Sequence, residues 1–156
     1  MEREAVKTIL IFCRDIDGEI KLTQRVLADY EDAYYTGGGA GTLDGFPRSK
    51  YRTSDPTATT ALNIPDSAAD AMNELRADIE LLAALKKAIL HELNRLPLIQ
   101  KTVVYDFYIK GLQWVQISLK TYYSTAQCRN IRNNGLDKLA KLFNKNDLIK
   151  KFNYPC

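Results

Sequence analysis

Hydrophobic residues recur in alternating steps of four and three along two stretches of the chain. The first series is Ile9, Cys13, Ile16, Ile20, Thr23, Leu27, Tyr30 and Tyr34, and the second is Met72, Leu75, Ile79, Leu82, Lys86, Ile89, Leu93 and Leu96. This heptad spacing is typical of a long helix with one apolar seam. Because the two series are equally long, they predict an antiparallel coiled-coil helical hairpin. Thr23 and Lys86 interrupt its seams, and either they fix the register or the Lys86 side chain extends to water.

The segment 36–67 separates the two predicted helices and has no hydrophobic period. Gly, Pro, Ser and Thr dominate it, including the run "TGGGAG". A structureless connection of this length is uncommon inside a compact domain. We therefore interpret 36–67 as a flexible loop within a hairpin domain of residues 1–96.

Pro97 marks the predicted boundary with a second domain, residues 97–156, because proline cannot continue a helix without a kink or break. Ile99, Val103, Phe107 and Tyr108 then follow one helical face, and Gly111 supplies a stop. This pattern predicts one further helix before the glycine.

The segment from Gln113 to Lys120 is too short for a stable isolated helix, so it must pack on its neighbours. A short polar connection follows, and Ser124 can cap the helix after it. The inward positions of this pair are Ile117, Ser118, Tyr123, Cys128 and Ile131. The fold class predicted from the whole chain is therefore all-α, a long antiparallel coiled-coil hairpin followed by a C-terminal helix-turn-helix domain.

Charge distinguishes the two predicted domains, because their net charges have opposite signs. Residues 1–96 carry 12 Lys and Arg against 16 Asp and Glu, whereas residues 97–156 carry 10 against 3. The overall charge of +3 conceals this division. A basic C-terminal domain favours a polyanionic partner, although a solvated basic surface is the equally available alternative.

The helix that starts at Ser124 turns polar side chains away from its apolar face. Arginine can donate two hydrogen bonds to guanine, asparagine and glutamine can pair with adenine, and threonine or alanine can contact the thymine methyl group. The candidates for base contacts are Thr125, Ala126, Gln127, Arg129, Asn130 and Asn133. The candidates for phosphate contacts are Lys101, Lys110, Lys120, Tyr122, Tyr123, Ser124, Arg132 and Lys138.

The stretch "VVYDFYIKGLQWVQISLKTYYSTAQCRNIRNNGLDKLAKLF" resembles the C-terminal region of small phage-encoded transcription regulators, of the late-operon activator type, whose end is similar to region 4 of sigma-70 factors. A helix ending in tyrosine, an aliphatic residue, a charged residue and glycine precedes a Leu-x-Trp in that family, as in "YIKGLQW" here. The family's recognition helix begins with Ser or Thr, has an arginine-rich outer face and ends in a "GRALEKL"-like run. In this chain "STAQCRNIRNNGLDKL" matches that pattern.

The resemblance implies a sequence-specific DNA-binding transcription regulator of phage or prophage origin, with duplex DNA and host RNA polymerase as partners. It also implies that the last helix continues through Gly135, whereas "NNG" alone would favour a helix end. Three positions depart from the family pattern. Val115 and Gln116 replace acidic residues, Tyr122 replaces a glycine in the turn, and Thr125 and Ala126 replace charged residues.

Catalytic and metal-binding patterns do not emerge from the sequence. His91 is the only histidine, and no nucleophile is paired with a base, so we expect neither an enzyme nor a cofactor. Three widely spaced cysteines favour a reducing cytoplasm, and we expect neither a signal peptide nor a membrane partner, because no apolar run approaches the roughly 20 residues that span a bilayer.

Two other classes of function remain open from the sequence. The chain could be a phage protein-interaction module that inhibits a host polymerase or defence system, with the hairpin as its binding surface. It could also be a small terminase-like DNA-packaging subunit. The hairpin also offers a surface for homo-oligomer formation in each of these classes.

Overall fold

The computed structural model describes residues 1–34 and 65–155, and all regular structure within these ranges is helical. The helices are α1 Arg3–Tyr34, α2 Asp66–Asn94, α3 Leu98–Val104, α4 Trp114–Thr121, α5 Thr125–Lys145 and α6 Asp147–Lys151, and the π-helix Tyr105–Ile109 continues α3. The predicted all-α class is confirmed. Apart from its last three residues, the predicted loop 36–67 lies outside the described residues.

The chain divides into two compact units. Unit 1 comprises Met1–Gly18 and Leu82–Cys156, and unit 2 comprises Glu19–Leu81. The predicted domain boundary at Pro97 therefore lies inside unit 1, which combines the ends of the two long helices with all of the C-terminal helices.

Unit 2 contains the second half of α1 and the first half of α2. Met72 is buried, and Leu27 and Ile79 are partly buried at the positions that the heptad spacing predicts. An ion pair joins the two helices here, with Arg76 Nη2 3.2 Å from Glu31 Oε1. In this unit α1 and α2 thus bury apolar side chains and are also joined by an ion pair.

Thr23 satisfies its hydroxyl within its own helix. Its Oγ1 donates to the carbonyl oxygen of Glu19, four residues earlier, at 2.9 Å. The hydroxyl has this local acceptor, so a threonine at a seam position does not need a polar partner across the interface.

In unit 1 most buried residues of α1 and α2 follow the predicted spacing, but Leu10 of α1 and Leu85 and Glu92 of α2 are buried outside it. Leu85 is fully buried, whereas the predicted seam position Lys86 is only partly buried. Lys86 Nζ instead lies 2.7 Å from both carboxylate oxygens of Asp17 on α1. The lysine therefore lies at the edge of the seam in an ion pair, and the leucine before it fills the core.

The N-terminal part of α1 contacts the C-terminal helices. The Arg3 guanidinium donates two hydrogen bonds to the Asp137 carboxylate of α5, the longer one at 2.7 Å. The ring of Phe12 lies 5.5 Å from that of Phe152 and 5.6 Å from that of Tyr154. Phe152 and Tyr154 are thus packed on α1 through an aromatic cluster.

Two residues mark the start and the end of α3 and its π-helical continuation, as the sequence predicts. Pro97 precedes the first residue of α3, and its carbonyl accepts the N–H of Lys101 at 2.9 Å. Gly111 follows the helix with φ +70°, a conformation that glycine adopts without steric cost. The π-helical turn before it brings both Asp106 and Tyr108 into buried positions.

Helix α5 continues through Gly135, as the resemblance implies, and does not end at "NNG". Gly135 is buried, and a Cβ atom at this position would lie 2.9 Å from Cγ2 of Val104 on α3. The glycine is therefore required by the close approach of α3 and α5.

Candidate nucleic-acid interface

Helices α4 and α5 are joined by the three residues 122–124 and pack through a small apolar cluster. Ile117 of α4, Cys128 of α5 and Val103 of α3 are buried together at its centre. Five partly buried residues surround them, namely Ile99, Phe107, Leu112, Trp114 and Ile131. The predicted inward positions Ile117, Cys128 and Ile131 therefore do pack against one another.

Tyr123 is the exception among the predicted inward positions, because its side chain is exposed. Its main chain makes the contact instead. The carbonyl oxygen of Tyr123 accepts a hydrogen bond from Ser118 Oγ at 2.6 Å and a longer one from Cys128 Sγ at 3.8 Å. Ser118 thus holds the turn with its hydroxyl.

Tyr122 has φ +63°, the left-handed conformation that its non-glycine side chain disfavours. Its N–H donates to the Ser118 carbonyl at 2.9 Å, which closes α4, and its side chain is 95% exposed. A glycine at this position would avoid the strain, while Tyr122 presents a ring and a hydroxyl to the surroundings.

Ser124 caps α5, as the sequence predicts. Its Oγ accepts the N–H of Gln127 at 3.2 Å, and Gln127 Oε1 accepts the N–H of Ser124 at 3.1 Å. This reciprocal pair satisfies two backbone donors. The amide oxygen of Gln127 is therefore engaged in the cap, although the residue is a candidate for base contact. Gln116 acts similarly at the start of α4, where its Oε1 accepts the N–H of Gln113 at 2.9 Å.

The predicted outer face of α5 is exposed to different degrees. Ala126, Gln127, Arg129 and Asn130 are exposed, whereas Thr125 and Asn133 are partly buried. Asn133 Oδ1 accepts a hydrogen bond from Arg132 Nε at 3.2 Å. The face therefore combines free donors and acceptors with side chains already held by neighbours.

Two arginines of α5 lie over aromatic rings of the preceding segments. Phe107 and Trp114 are stacked with ring centroids 4.3 Å apart. The guanidinium carbon of Arg132 lies 5.0 Å from the Trp114 centroid, and that of Arg129 lies 5.7 Å from the same ring. Such cation–π contacts are worth about 0.5–1 kcal/mol at exposed sites. They restrict both guanidinium groups to one side of α5.

These arginines have no carboxylate partner within residues 1–34 and 65–155. The same is true of Lys138, whereas Lys120 Nζ forms an ion pair with Asp106 Oδ2 at 2.9 Å. The α5 cations are therefore not neutralised by ion pairs within the described chain.

Three of the predicted phosphate-contacting lysines lie together, and the remaining candidates lie elsewhere. Lys101, Lys110 and Lys120 line one cleft of about 400 Å³, which has no lining residue from α5. Tyr122, Tyr123 and Ser124 form the turn before α5, and Arg132 and Lys138 lie on α5 itself. The candidates thus form two groups on different elements.

The sequence did not predict three residues that organise the site. Phe107 and Trp114 form the aromatic support of the arginines, and Asp106 holds Lys120 although it is only 2% exposed. A carboxylate inside the apolar run "VVYDFYI" was an available signal, because buried carboxylates are normally paired. The π-helical turn that turns Asp106 inward has no signal in the sequence.

Comparison of the chain with protein-family models, with curated proteins and with solved structures gives no match. None of the helices in the described ranges is both long and apolar enough to cross a membrane.

Proposed function

We propose that this protein is a sequence-specific DNA-binding transcription regulator that contacts duplex DNA through α5. The observation that carries the proposal is the exposed polar face of α5, with Arg129 and Arg132 held against Trp114 and free of carboxylate partners among the described residues. An arginine that is oriented before binding loses less conformational entropy when it forms a bidentate contact with guanine.

The arrangement of α4 and α5 supports a helix-turn-helix of the sigma region 4 type. A short helix, a three-residue turn and a longer capped helix pack through Ile117 and Cys128. In such motifs the N-terminal part of the second helix enters the major groove. Thr125, Ala126, Arg129 and Asn130 are then the residues closest to base edges, and Asn133 lies one turn further along.

The phosphate contacts nearest to the proposed base contacts come from the turn and from α5. The free backbone N–H groups at the start of a helix favour an anion, and Ser124 is the cap residue immediately before α5. Tyr122 presents its hydroxyl beside this end, and Lys138 extends the positive charge along the helix. These groups position the protein on DNA without reading sequence.

The two long helices support an antiparallel coiled-coil hairpin. Asp17 pairs with Lys86 in unit 1, and Glu31 pairs with Arg76 in unit 2. The pairs follow opposite sequence order along α1 and α2, as an antiparallel arrangement requires. We infer that this hairpin provides the additional binding energy that one recognition helix lacks, through a second copy of the chain or through host RNA polymerase.

A protein-interaction module is the second candidate, and exposed apolar residues on α1 favour it. Ile11, Leu22 and Val26 are all exposed large hydrophobic side chains on this helix. A helix that presents such residues to solvent can bind another protein through them. Under this hypothesis the C-terminal helices serve only to bury a hydrophobic core, and the chain has no preference among DNA sequences.

Selection from a random-sequence duplex library tests the proposal. The full chain is used to enrich bound duplexes, and affinities for an enriched duplex and its scrambled version are then measured by fluorescence anisotropy at physiological salt. We expect the enriched duplex to bind at least about 1,000-fold more tightly, as specific complexes do. Equal affinity for both duplexes would reject sequence-specific binding and favour the protein-interaction module.

A further inference from the structure

The cleft beside the π-helical turn is built from elements that precede α5. Its walls come from the end of α2, from α3 and its π-helical continuation, and from α4. The lining residues are Leu90, Leu93, Asn94, Lys101, Thr102, Tyr105, Asp106, Lys110 and Lys120. No residue of the proposed base-reading face contributes, so a ligand in this cleft would be bound independently of base contacts.

The cleft has an excess of positive charge. Lys120 is paired with the buried carboxylate of Asp106 at 2.9 Å. Lys101 has no ion-pair partner among the described residues, and Lys110 Nζ lies 6.0 Å from the centre of the Tyr105 ring. Two of the three lysines can therefore bind an external carboxylate or phosphate group.

Apolar surface accompanies these charges. Leu90 and Tyr105 contribute apolar atoms to the lining. Leu98 is 74% exposed and lies three and four residues before Lys101 and Thr102, on the same face of α3. A duplex phosphate backbone has no complementary group for an exposed leucine, whereas a peptide with both acidic and large apolar side chains does.

We propose that this cleft binds an acidic segment of a partner protein, with carboxylates on Lys101 and Lys110 and an apolar side chain beside Leu98. The chemistry of the partner is that of a peptide in which Leu residues are separated and flanked by Asp and Glu. Because the buried Asp106 already pairs with Lys120, Lys101 and Lys110 are the lysines left for the carboxylates of the peptide.

A peptide titration tests this site. The probe is an acetylated and amidated peptide of sequence Glu-Asp-Leu-Asp-Glu-Leu-Glu, added to the isotope-labelled full chain up to about 2 mM, where weak binding is still detectable. We expect concentration-dependent changes in the amide resonances of Lys101, Thr102 and Lys110. A peptide with serine in place of both leucines should bind roughly tenfold more weakly.

Matched variants assign the binding to the cleft. The double variant Lys101→Gln/Lys110→Gln and the single variant Leu98→Ser should each weaken peptide binding by roughly tenfold. The controls are Lys145→Gln/Lys150→Gln, which removes the same charge elsewhere, and Leu81→Ser, which removes an exposed leucine from α2. Neither should change peptide affinity. Thermal unfolding verifies that each variant is folded.

Binding of duplex DNA by the same variants separates this proposal from the proposed function. We expect DNA affinity to change by less than about twofold in Leu98→Ser, which keeps the charge. Absence of resonance changes at the highest peptide concentration, or equal peptide affinity in all variants, would overturn the proposal. An equal loss of DNA and peptide affinity in Lys101→Gln/Lys110→Gln would overturn it too and make the cleft a phosphate site. If the peptide binds there and DNA does not bind at all, the cleft stands and the DNA proposal fails.

Discussion

At the scale of single residues, two positions hold a residue type that the local backbone conformation does not favour. Tyr122 carries a large side chain where glycine is favoured, and Gly135 lacks a side chain where a helix favours alanine. The first position is exposed and beside the proposed DNA contacts, and the second is buried between α3 and α5. We therefore expect substitutions at the two positions to change the stability of the protein in opposite directions.

Replacing Tyr122 with glycine should stabilise the protein. The left-handed conformation costs a non-glycine residue roughly 1–2 kcal/mol, and the greater freedom of glycine in the unfolded chain offsets about half of the gain. We expect Tyr122→Gly to raise the free energy of unfolding by about 0.5–1 kcal/mol in urea denaturation. Tyr122→Ala retains the strained Cβ and serves as the control, with a change near zero.

The same substitution tests the phosphate contact. If the Tyr122 hydroxyl contacts DNA, Tyr122→Gly weakens binding to all duplexes while it stabilises the fold. Unchanged DNA affinity in the variant would mean that the Tyr122 hydroxyl does not contact DNA.

Replacing Gly135 with alanine should destabilise the protein, although alanine is the better helix former. The new Cβ would lie 2.9 Å from Cγ2 of the fully buried Val104. Overpacking of this kind costs about 1–3 kcal/mol, and the helix propensity returns about 1 kcal/mol. We expect Gly135→Ala to lose roughly 1 kcal/mol in urea denaturation.

Gly18 provides the matched control, because it lies within α1 and nothing is within 4 Å of an added Cβ. Gly18→Ala should therefore gain about 0.5–1 kcal/mol. A gain of the same size in Gly135→Ala would contradict the close approach of α3 and α5.

At the scale of elements, the sequence predicted the helices better than their contacts. Pro97, Gly111 and Ser124 have local effects on the backbone, so the helix limits that they predicted are confirmed. The heptad spacing placed Lys86 in the seam, but Leu85 is fully buried there and Lys86 is only partly buried and pairs with Asp17. The π-helical turn depends on tertiary packing, and the sequence alone could not predict it.

In the candidate site too, the sequence predicted the positions of residues better than their side-chain contacts. Periodicity separated the inward Ile117 and Cys128 from the exposed Arg129, and the structure agrees. It could not predict that Trp114 would support the arginines or that Gln127 would be used by the cap. Such contacts depend on side-chain conformations that residue spacing does not determine.

Glu92 links the end of α2 to the junction of α5 and α6. Its carboxylate accepts hydrogen bonds from Arg95 Nη1 at 2.9 Å and from Asn146 Nδ2 at 3.3 Å. Burial by itself would raise the pKa of Glu92, but the hydrogen bonds from Arg95 and Asn146 and the charges of Arg95 and His91 together outweigh burial, so the pKa lies below its usual value. The charged form is therefore favoured in the folded protein.

This lowered pKa predicts how stability depends on pH. A carboxylate with a depressed folded pKa contributes stability above its unfolded pKa, near 4.3, and loses it as the pH falls through the folded pKa. We expect Glu92→Gln to be less stable than the native protein at neutral pH. The difference should decrease on acidification. Chemical denaturation across the acidic range measures this, with the exposed Glu74→Gln as control. A difference independent of pH would show that only the shape of the side chain matters.

At the scale of the whole molecule, charge and apolar surface are distributed unequally along the chain. Residues 97–156 hold 10 Lys and Arg against 3 Asp and Glu, whereas exposed Leu22 and Val26 lie four residues apart on α1. A basic domain suits a nucleic acid, and an exposed apolar pair on one helical face suits a protein contact. The proposed function uses both.

We expect α1 to mediate self-association through this apolar pair. Sedimentation equilibrium at roughly 50 µM protein should then show dimers that Leu22→Glu converts to monomers, because a buried charge opposes association. Gln24→Glu adds the same charge beside the pair and should leave the dimer intact. A native protein that remains monomeric would leave host RNA polymerase as the source of additional contacts in the proposed function.

Comparison of Arg129→Ala with Lys138→Ala on an enriched duplex and its scrambled version tests the central claim most directly. A base contact contributes about 1–3 kcal/mol to the correct sequence alone, whereas a phosphate contact contributes to every sequence. We predict that Arg129→Ala lowers affinity for the enriched duplex by roughly tenfold or more and leaves the scrambled duplex nearly unchanged, while Lys138→Ala weakens both equally. Equal losses on both duplexes in Arg129→Ala, or no loss on either, would contradict base recognition by α5.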